Sequence, residues 1–436
     1  MAEVGLSYEQ GPPFAAPLRF FLAAPLFLLL AAVLALFLPE WQSNRWSPVS
    51  LALTHLITLG YLATVMFGAL LQMLPVVLGA PVPAVRLVAG LGLIGLICGT
   101  PSLVLGFLQG DAHWLYAGML FLGVGLTPGL AAFALSLVRT IAEQVAWPIR
   151  QAVLSLLVTL ALGIVLAGAM AGLWPLSTPF DLTTLHMAWG LVGWVLILVI
   201  GLAYQVVPML QITPAYPARL SRWLTWIMQA GLLLFSGLPL PAVGVAANRI
   251  GSLLICTTCA GFALATLRIQ SQRRRKLPDV TLDFWRLGMA CLIFSALFAP
   301  LLSWLPSPWQ DPALISLGML FMLGFAASVV SGMLYKILPF LAWFHLKTQT
   351  GAKVSAIPNM KEMIPDRLAR LHFRLHLAAL VLLLPAPFLP QPAAAPGLFL
   401  LAAGAIRQGL NLLHARRLFL RFGGSLRVVT DSKDQH

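Results

Sequence analysis

One stretch of apolar sequence is written three times in this chain, and it limits the possible folds more than any other feature. Residues 56–75 read LITLGYLATVMFGALLQMLP, residues 189–208 read WGLVGWVLILVIGLAYQVVP, and residues 320–339 read LFMLGFAASVVSGMLYKILP. Each has Gly at its fifth place (Gly60, Gly193, Gly324) and at its thirteenth (Gly68, Gly201, Gly332), and each closes on Pro (Pro75, Pro208, Pro339). The place three before each Pro is polar: Gln72, Gln205 and Lys336. The Pro residues stand 133 and 131 residues apart. The chain therefore reads as a threefold internal repeat, and the period decides the architecture.

Composition places that repeat in a membrane. The 436 residues are 60% hydrophobic and 9% charged, with a mean hydropathy of +0.91, where a soluble domain carries about 25% charged residues. Apolar runs long enough to cross a hydrocarbon core of roughly 30 Å recur throughout. Twelve are expected: 18–38, 50–75, 85–108, 113–138, 150–173, 184–211, 220–239, 247–268, 284–305, 312–343, 369–389 and 396–420. The expected fold is an all-α polytopic membrane protein, twelve transmembrane helices in three pseudo-equivalent four-helix repeats at 1–145, 146–280 and 281–436. Each Pro is expected to stop or kink its helix. Continuous apolar runs argue against a β-barrel, whose strands alternate.

The net charge of +14 would suggest nucleic acid in a soluble protein; here orientation accounts for it. Arg139, Arg150, Arg219, Arg222, Arg268, Arg273, Arg274, Arg275, Lys276, Lys347, Lys353, Lys361, Arg367, Arg370, Arg416, Arg417 and Arg421 fall on one face of the twelve-span topology, against Arg45 and Arg249 on the other. The positive-inside rule puts both termini and the 270–283 and 345–368 loops in the cytoplasm of a bacterial inner membrane. The run Arg273–Lys276 reads as this orientation signal, with an anionic-lipid or partner contact as the other reading. The expected partner is the lipid bilayer, with no nucleic acid. The start, MAEVGLSYEQGPPFAAPLR, is polar and Pro-rich and does not read as a cleavable signal peptide.

Chemistry in such a chain rests on what is polar inside the spans. The thirteen Asp and Glu lie outside the spans or at their edges, which weighs against a proton-coupled transporter. His55 and His186 sit at similar depth near the outer starts of the second and sixth spans, 20 and 22 residues ahead of their Pro. Met319 stands where His55 would be in the third repeat. Neutral imidazole suits the axial position of haem iron, with thioether the weaker alternative, and helix bundles hold cofactors between facing side chains. The alternative is that each His only caps or hydrogen-bonds at the interface, beside Thr54 and Thr184. Arg249, next to Asn248, begins the eighth span on that side and is expected as a buried cation that pairs with a haem propionate, or else reaches lipid phosphate. The four Cys (Cys98, Cys256, Cys259, Cys291) all lie in spans, so no disulfide framework is expected. Cys256 and Cys259, i and i+3 on one helix, either pack between helices or bind a soft metal. His345, His372, His376 and His414 are expected near cytoplasmic helix ends. His372 and His376 share a face and could chelate a metal, but Arg370 and Arg374 flank them, and snorkelling to the interface is the expected state.

The stretch THLITLGYLATVMFGALLQMLPVVLGAPVPAVRL presents His, then G-x6-P, then G-A-P, then Arg. It resembles the second helix of the haem-copper oxidase catalytic subunit, and GLAYQVVP is similar to the same helix ending in that superfamily's nitric-oxide-reductase branch. By length, and by PLRFFLAAPLFLLLAAVLAL at its start, the chain most resembles the NnrS family of haem- and copper-containing membrane proteins tied to nitric oxide metabolism. The resemblance implies twelve helices, haem b held through His55 as low-spin ligand, and a metal ligand on the sixth helix, where His186 lies. It departs from the oxidases at the paired His of their seventh and tenth helices: 220–239 and 312–343 contain none. The oxidase binuclear site is therefore not expected, and a copper role stands in doubt, since only one His begins the second helix. The expected function is electron transfer, nitric oxide or haem response, or respiratory-complex assembly, alongside respiratory-chain membrane proteins. A secondary transporter and a cofactor-free scaffold are the alternatives.

Overall fold

The computed structural model describes residues 11–42, 44–138, 140, 143–237, 241–274, 277–351 and 357–426. Arg139, Arg275, Lys276, Lys353 and both chain ends, which carry part of the orientation argument, lie outside the described residues. The rest forms twelve long helices: α1 (Ala15–Phe37), α2 (Pro48–Leu78), α3 (Val85–Gln109), α4 (Ala112–Val138), α5 (Glu143–Met170), α6 (Pro179–Gln211), α7 (Ala218–Phe235), α8 (Pro241–Ser271), α9 (Val280–Phe298), α10 (Gln310–Thr350), α11 (Asp366–Leu383) and α12 (Ala395–Arg421). No strand occurs among the described residues. Eleven of these helices are long and apolar enough to cross a bilayer, which makes this a multi-pass membrane protein. The exception is α7, at the expected run 220–239. Arg219 and Arg222 in its first turns, with Ser221, Thr225 and Gln229, dilute its apolar content. It packs lengthwise against α8, where Gly231 and Gly251 bring the two backbones together.

Each copy of the repeated motif behaves alike. Its first eight residues open into a π-helical segment, at Leu56–Ala63, Trp189–Leu196 and Leu320–Ala327. Each segment begins 19 residues ahead of its Pro. The π-helix is rare, one residue wider per turn than the α-helix, and often marks functional sites. The two motif glycines then face the preceding helix. Gly60 and Gly68 meet Phe27 and Phe20 of α1, Gly193 and Gly201 meet Ser155 and Pro148 of α5, and Gly324 and Gly332 meet Cys291 and Phe284 of α9. A Cβ at any of the six would stand 2.5–2.8 Å from its neighbour, so only glycine allows these helices to approach this closely.

The Pro residues do not end their helices. α2 runs on to Leu78, α6 to Gln211, and α10 a further eleven residues beyond Pro339 to Thr350. Helices inside a bilayer tolerate Pro where neighbouring groups satisfy the freed backbone. The stop signals are glycines in the left-handed region, Gly79 at φ +60° after α2 and Gly351 at φ +60° after α10; the missing Cβ removes the steric cost there. One consequence corrects the expected 345–368 loop. Residues 345–350 continue α10, and His345 is helical, its ring stacked on Phe14 with centroids 5.4 Å apart.

The outside of the bundle is as apolar as its core. Leu26, Leu120, Val245, Leu253, Leu297 and Phe399 are all exposed, as a surface in contact with acyl chains requires and a water-facing one would not allow.

Candidate metal and cofactor centre

A central cavity of about 1540 Å³ opens at the end of the bundle where α2, α6 and α10 begin. Typical ligand pockets span about 300–1,000 Å³, so this one has room for a large cofactor and more. Its walls are apolar and drawn from nearly every long helix. The polar groups on it are few, and all four expected ligand residues are among them: His55, His186, Arg249 and Met319 line this one space.

The repeat explains the convergence. His55 and Met319 are the residues immediately before the π segments of α2 and α10, and His186 stands three residues before that of α6. Helices α2, α6 and α10 therefore present the same face inward. His55 Nδ1 donates to the Leu51 carbonyl at 2.7 Å, and His186 Nδ1 donates to the Thr159 carbonyl of α5 at 3.0 Å. A carbonyl can only accept, so each Nδ1 carries the proton and each Nε2 keeps its lone pair. That is how metal-binding histidines are usually oriented.

The two rings lie 6.1 Å apart between centroids, with planes within 21° of each other. Aromatic stacking contact would be closer. One metal ion between two imidazole nitrogens, at about 2.0–2.1 Å from each, puts ring centroids at roughly 6.4 Å once the ring radii are added. Among the described residues no group of three His, Cys, Asp or Glu could hold an ion. Cys256 and Cys259 line the same cavity. A bare cation needs more protein donors than this pair supplies. A haem iron does not, because the porphyrin fills its equatorial plane and the protein provides the axial groups. The donor set fits haem, and Met319 offers a thioether on the third wall.

Two cations stand on the cavity wall towards its mouth. Arg249 is exposed there rather than buried, beside Asn248, whose amide donates to the Phe235 carbonyl at 3.0 Å. The expectation of a buried guanidinium is corrected, because α8 begins at the open end. Arg45, which the sequence did not single out, is the second. It lies over the Trp46 ring at 4.4 Å and 4.0 Å from Asp311. Removal from water lowers the pKa of Arg45 from its usual value, and the nearby Asp311 opposes this.

The largest correction concerns His372 and His376. They do not snorkel; both are buried, in a polar cluster shared by α2, α10, α11 and α12. His376 Nε2 bonds the Ser328 hydroxyl at 2.9 Å, and His372 Nδ1 bonds the Tyr335 hydroxyl at 2.8 Å. Asn411 donates to Tyr335 at 3.0 Å. One helical turn away, Gln408 donates to Tyr61 at 2.9 Å, and Tyr61 and Ser331 share a hydrogen bond of 2.8 Å. With these nitrogens occupied by hydroxyls, the two His are poorly placed to chelate one ion. His414, on α12, is half-buried. Nothing in composition marks this cluster, because Tyr61 and Gln408 are 347 residues apart in the chain. The expected absence of carboxylates from the interior holds for the described residues, where the nearest are Asp279 and Asp283 at the start of α9. They pair with Lys336 at 2.9 Å and Arg370 at 2.9 Å.

No protein-family model and no curated protein matches the chain.

Proposed function

We propose that this is a haem b-binding protein of a bacterial inner membrane, of the haem-copper-oxidase-like and NnrS-like type without a binuclear site. It transfers electrons or responds to a haem ligand such as nitric oxide, alongside respiratory-chain membrane proteins. The single observation that carries this reading is the pair His55 and His186. Two imidazoles from repeat-related helices face one cavity, each with its Nδ1 committed to a carbonyl, at the spacing of two axial ligands. The propionates, being anionic, point to the open end, where Arg249 and Arg45 stand; a guanidinium fork suits a carboxylate. Met319 is the alternative axial ligand. A His/Met pair would give a higher reduction potential than a His/His pair. Copper has no comparable site in this reading.

The reading includes a twelve-span topology in three repeats with both termini cytoplasmic. Supporting it are the three π segments, the three sets of glycine contacts, and an α7 of 18 residues, about 27 Å long at 1.5 Å per residue. The test is the absorbance spectrum of purified protein, oxidised and reduced. A Soret band with sharp α and β bands on reduction is expected. A colourless protein that has been supplied with haem during expression rejects the haem reading in favour of a scaffold or transporter.

A further inference from the structure

The buried cluster beneath the cavity has no part in holding the haem, yet polar groups inside a bilayer are costly and rarely idle. Its members follow one line across the membrane interior. At one end lie the half-buried pairs Arg370–Asp283 and Lys336–Asp279. Next come His372, Tyr335 and Asn411, all buried. One turn along α10 and α12 lie Ser331, Gln408 and Tyr61, with Ser328 and His376 on a side branch. Tyr61 belongs to the π segment of α2, whose Ile57, Thr58, Leu59 and Ala63 line the cavity. The line therefore ends against the wall of the proposed haem site.

Two features separate this cluster from simple interhelical glue. The carbonyl oxygens of Gln408 and Asn411 are buried without a partner and sit one turn apart on α12. They leave acceptors open in the gap between the two hydroxyl layers, where a water molecule joining them would find its partners. Second, Arg407 lies halfway along α12, and among the described residues no carboxylate pairs with it. It acts electrostatically on both Tyr335 and His372. A fixed positive charge there repels a resident proton and leaves the cluster neutral at rest.

We infer that this cluster is a proton relay from the cytoplasmic face, coupled to reduction at the His55–His186 site; the inference rests on the haem reading. An electron from an external one-electron donor adds one negative charge to the low-dielectric interior, taking ferric iron to ferrous. One proton enters past Asp283 and Arg370, passes along the hydroxyl and imidazole groups, and is held on an imidazole of the cluster, His372 or His376. No other bond is made or broken. The charges facing this path are Arg407 from α12, Lys336 from α10, Arg370 from α11, and Asp279 and Asp283 from α9.

The test is the midpoint potential of the purified haem protein against pH, over roughly pH 6 to 8, the range in which imidazole titrates. One proton per electron lowers the potential by up to about 59 mV for each tenfold fall in proton activity. The wild type is expected to show a clear slope of this sign. Tyr335→Phe and Tyr61→Phe keep the ring and remove only the relaying hydroxyl. Their equilibrium slope should persist, while proton uptake after rapid reduction, read with a pH dye, slows at least tenfold. His372→Gln together with His376→Gln should flatten the slope, and Arg407→Gln should move it to higher pH. An unchanged Soret spectrum in each variant shows that it is folded. A haem protein whose potential ignores pH overturns the relay alone; a colourless protein overturns the haem reading and the relay with it.

Discussion

At the scale of single residues, the site divides into what depth along a helix reveals and what only the fold reveals. His55 and His186 were legible because each is a lone titratable group in an apolar span, at matching distances from a repeated Pro. The backbone carbonyls of Leu51 and Thr159 that orient them were not, since a carbonyl leaves no mark in sequence. Tyr61, Gln408 and Asn411 were invisible for another reason: such residues occur singly in many spans, and their meaning lies in partners hundreds of positions away. Two substitutions test this division. His55→Ala and His186→Ala should each abolish the low-spin spectrum while the protein still inserts and remains monodisperse. Added imidazole, filling the vacated axial position, should restore much of it. Unchanged spectra in both variants would dismiss the ligand assignment. Gln408→Leu removes the donor to Tyr61 and Ser331 from a water-free interior. Interhelical hydrogen bonds in membranes are worth about 0.6–1.7 kcal/mol, so a destabilisation of about 1 kcal/mol is expected in a denaturation series.

At the scale of helices, the repeated glycines and prolines were both visible in sequence, but only the glycines were read correctly. The glycine reading depends on contact alone: an apolar span with Gly at a fixed period needs a close neighbour, and α1, α5 and α9 supply it. The proline reading assumed aqueous rules. In water the lost hydrogen bond breaks a helix, whereas neighbouring helices support it here, and Gly79 and Gly351 end the helices instead. The π segments had no local signature, because Gly and apolar residues alone do not distinguish a wide turn from a regular one. Gly201 gives the sharpest test. A Cβ there would stand 2.7 Å from Cβ of Pro148, whose ring cannot rotate away. Gly201→Ala should destabilise the protein by about 1–3 kcal/mol through overpacking. Gly90 in α3 has nothing within 4 Å of its added Cβ. Gly90→Ala should stabilise by up to about 1 kcal/mol through helix propensity. Equal melting temperatures for the two variants would contradict the close-approach account.

At the scale of the whole molecule, the open question is whether α7 crosses the bilayer. The eleven strongly apolar helices alone would leave α6 and α8 to be joined on one side. The chain argues otherwise through its surface. Trp223, Trp226, Ile227 and Leu233 of α7 are exposed, a face that lipid can cover and water would penalise. Arg219 and Arg222 lie together in its first turns, where the side chains can reach the interface while the helix spans. They also fall on the side already rich in Arg268, Arg273 and Arg274. A crossing α7 puts the cavity mouth, with Arg45 and Arg249, on the outer face and the cluster's Asp283–Arg370 end in the cytoplasm, the direction a proton-taking relay requires. Reporter fusions should therefore place Thr213 and Gly237 on opposite sides, and Pro278 on the side of Thr213. A further fusion at Ser177 should report the side of Gly237. If Thr213 and Gly237 report the same side, α7 lies along the membrane surface, the threefold repeat is broken in its second unit, and the orientation of the relay loses its basis.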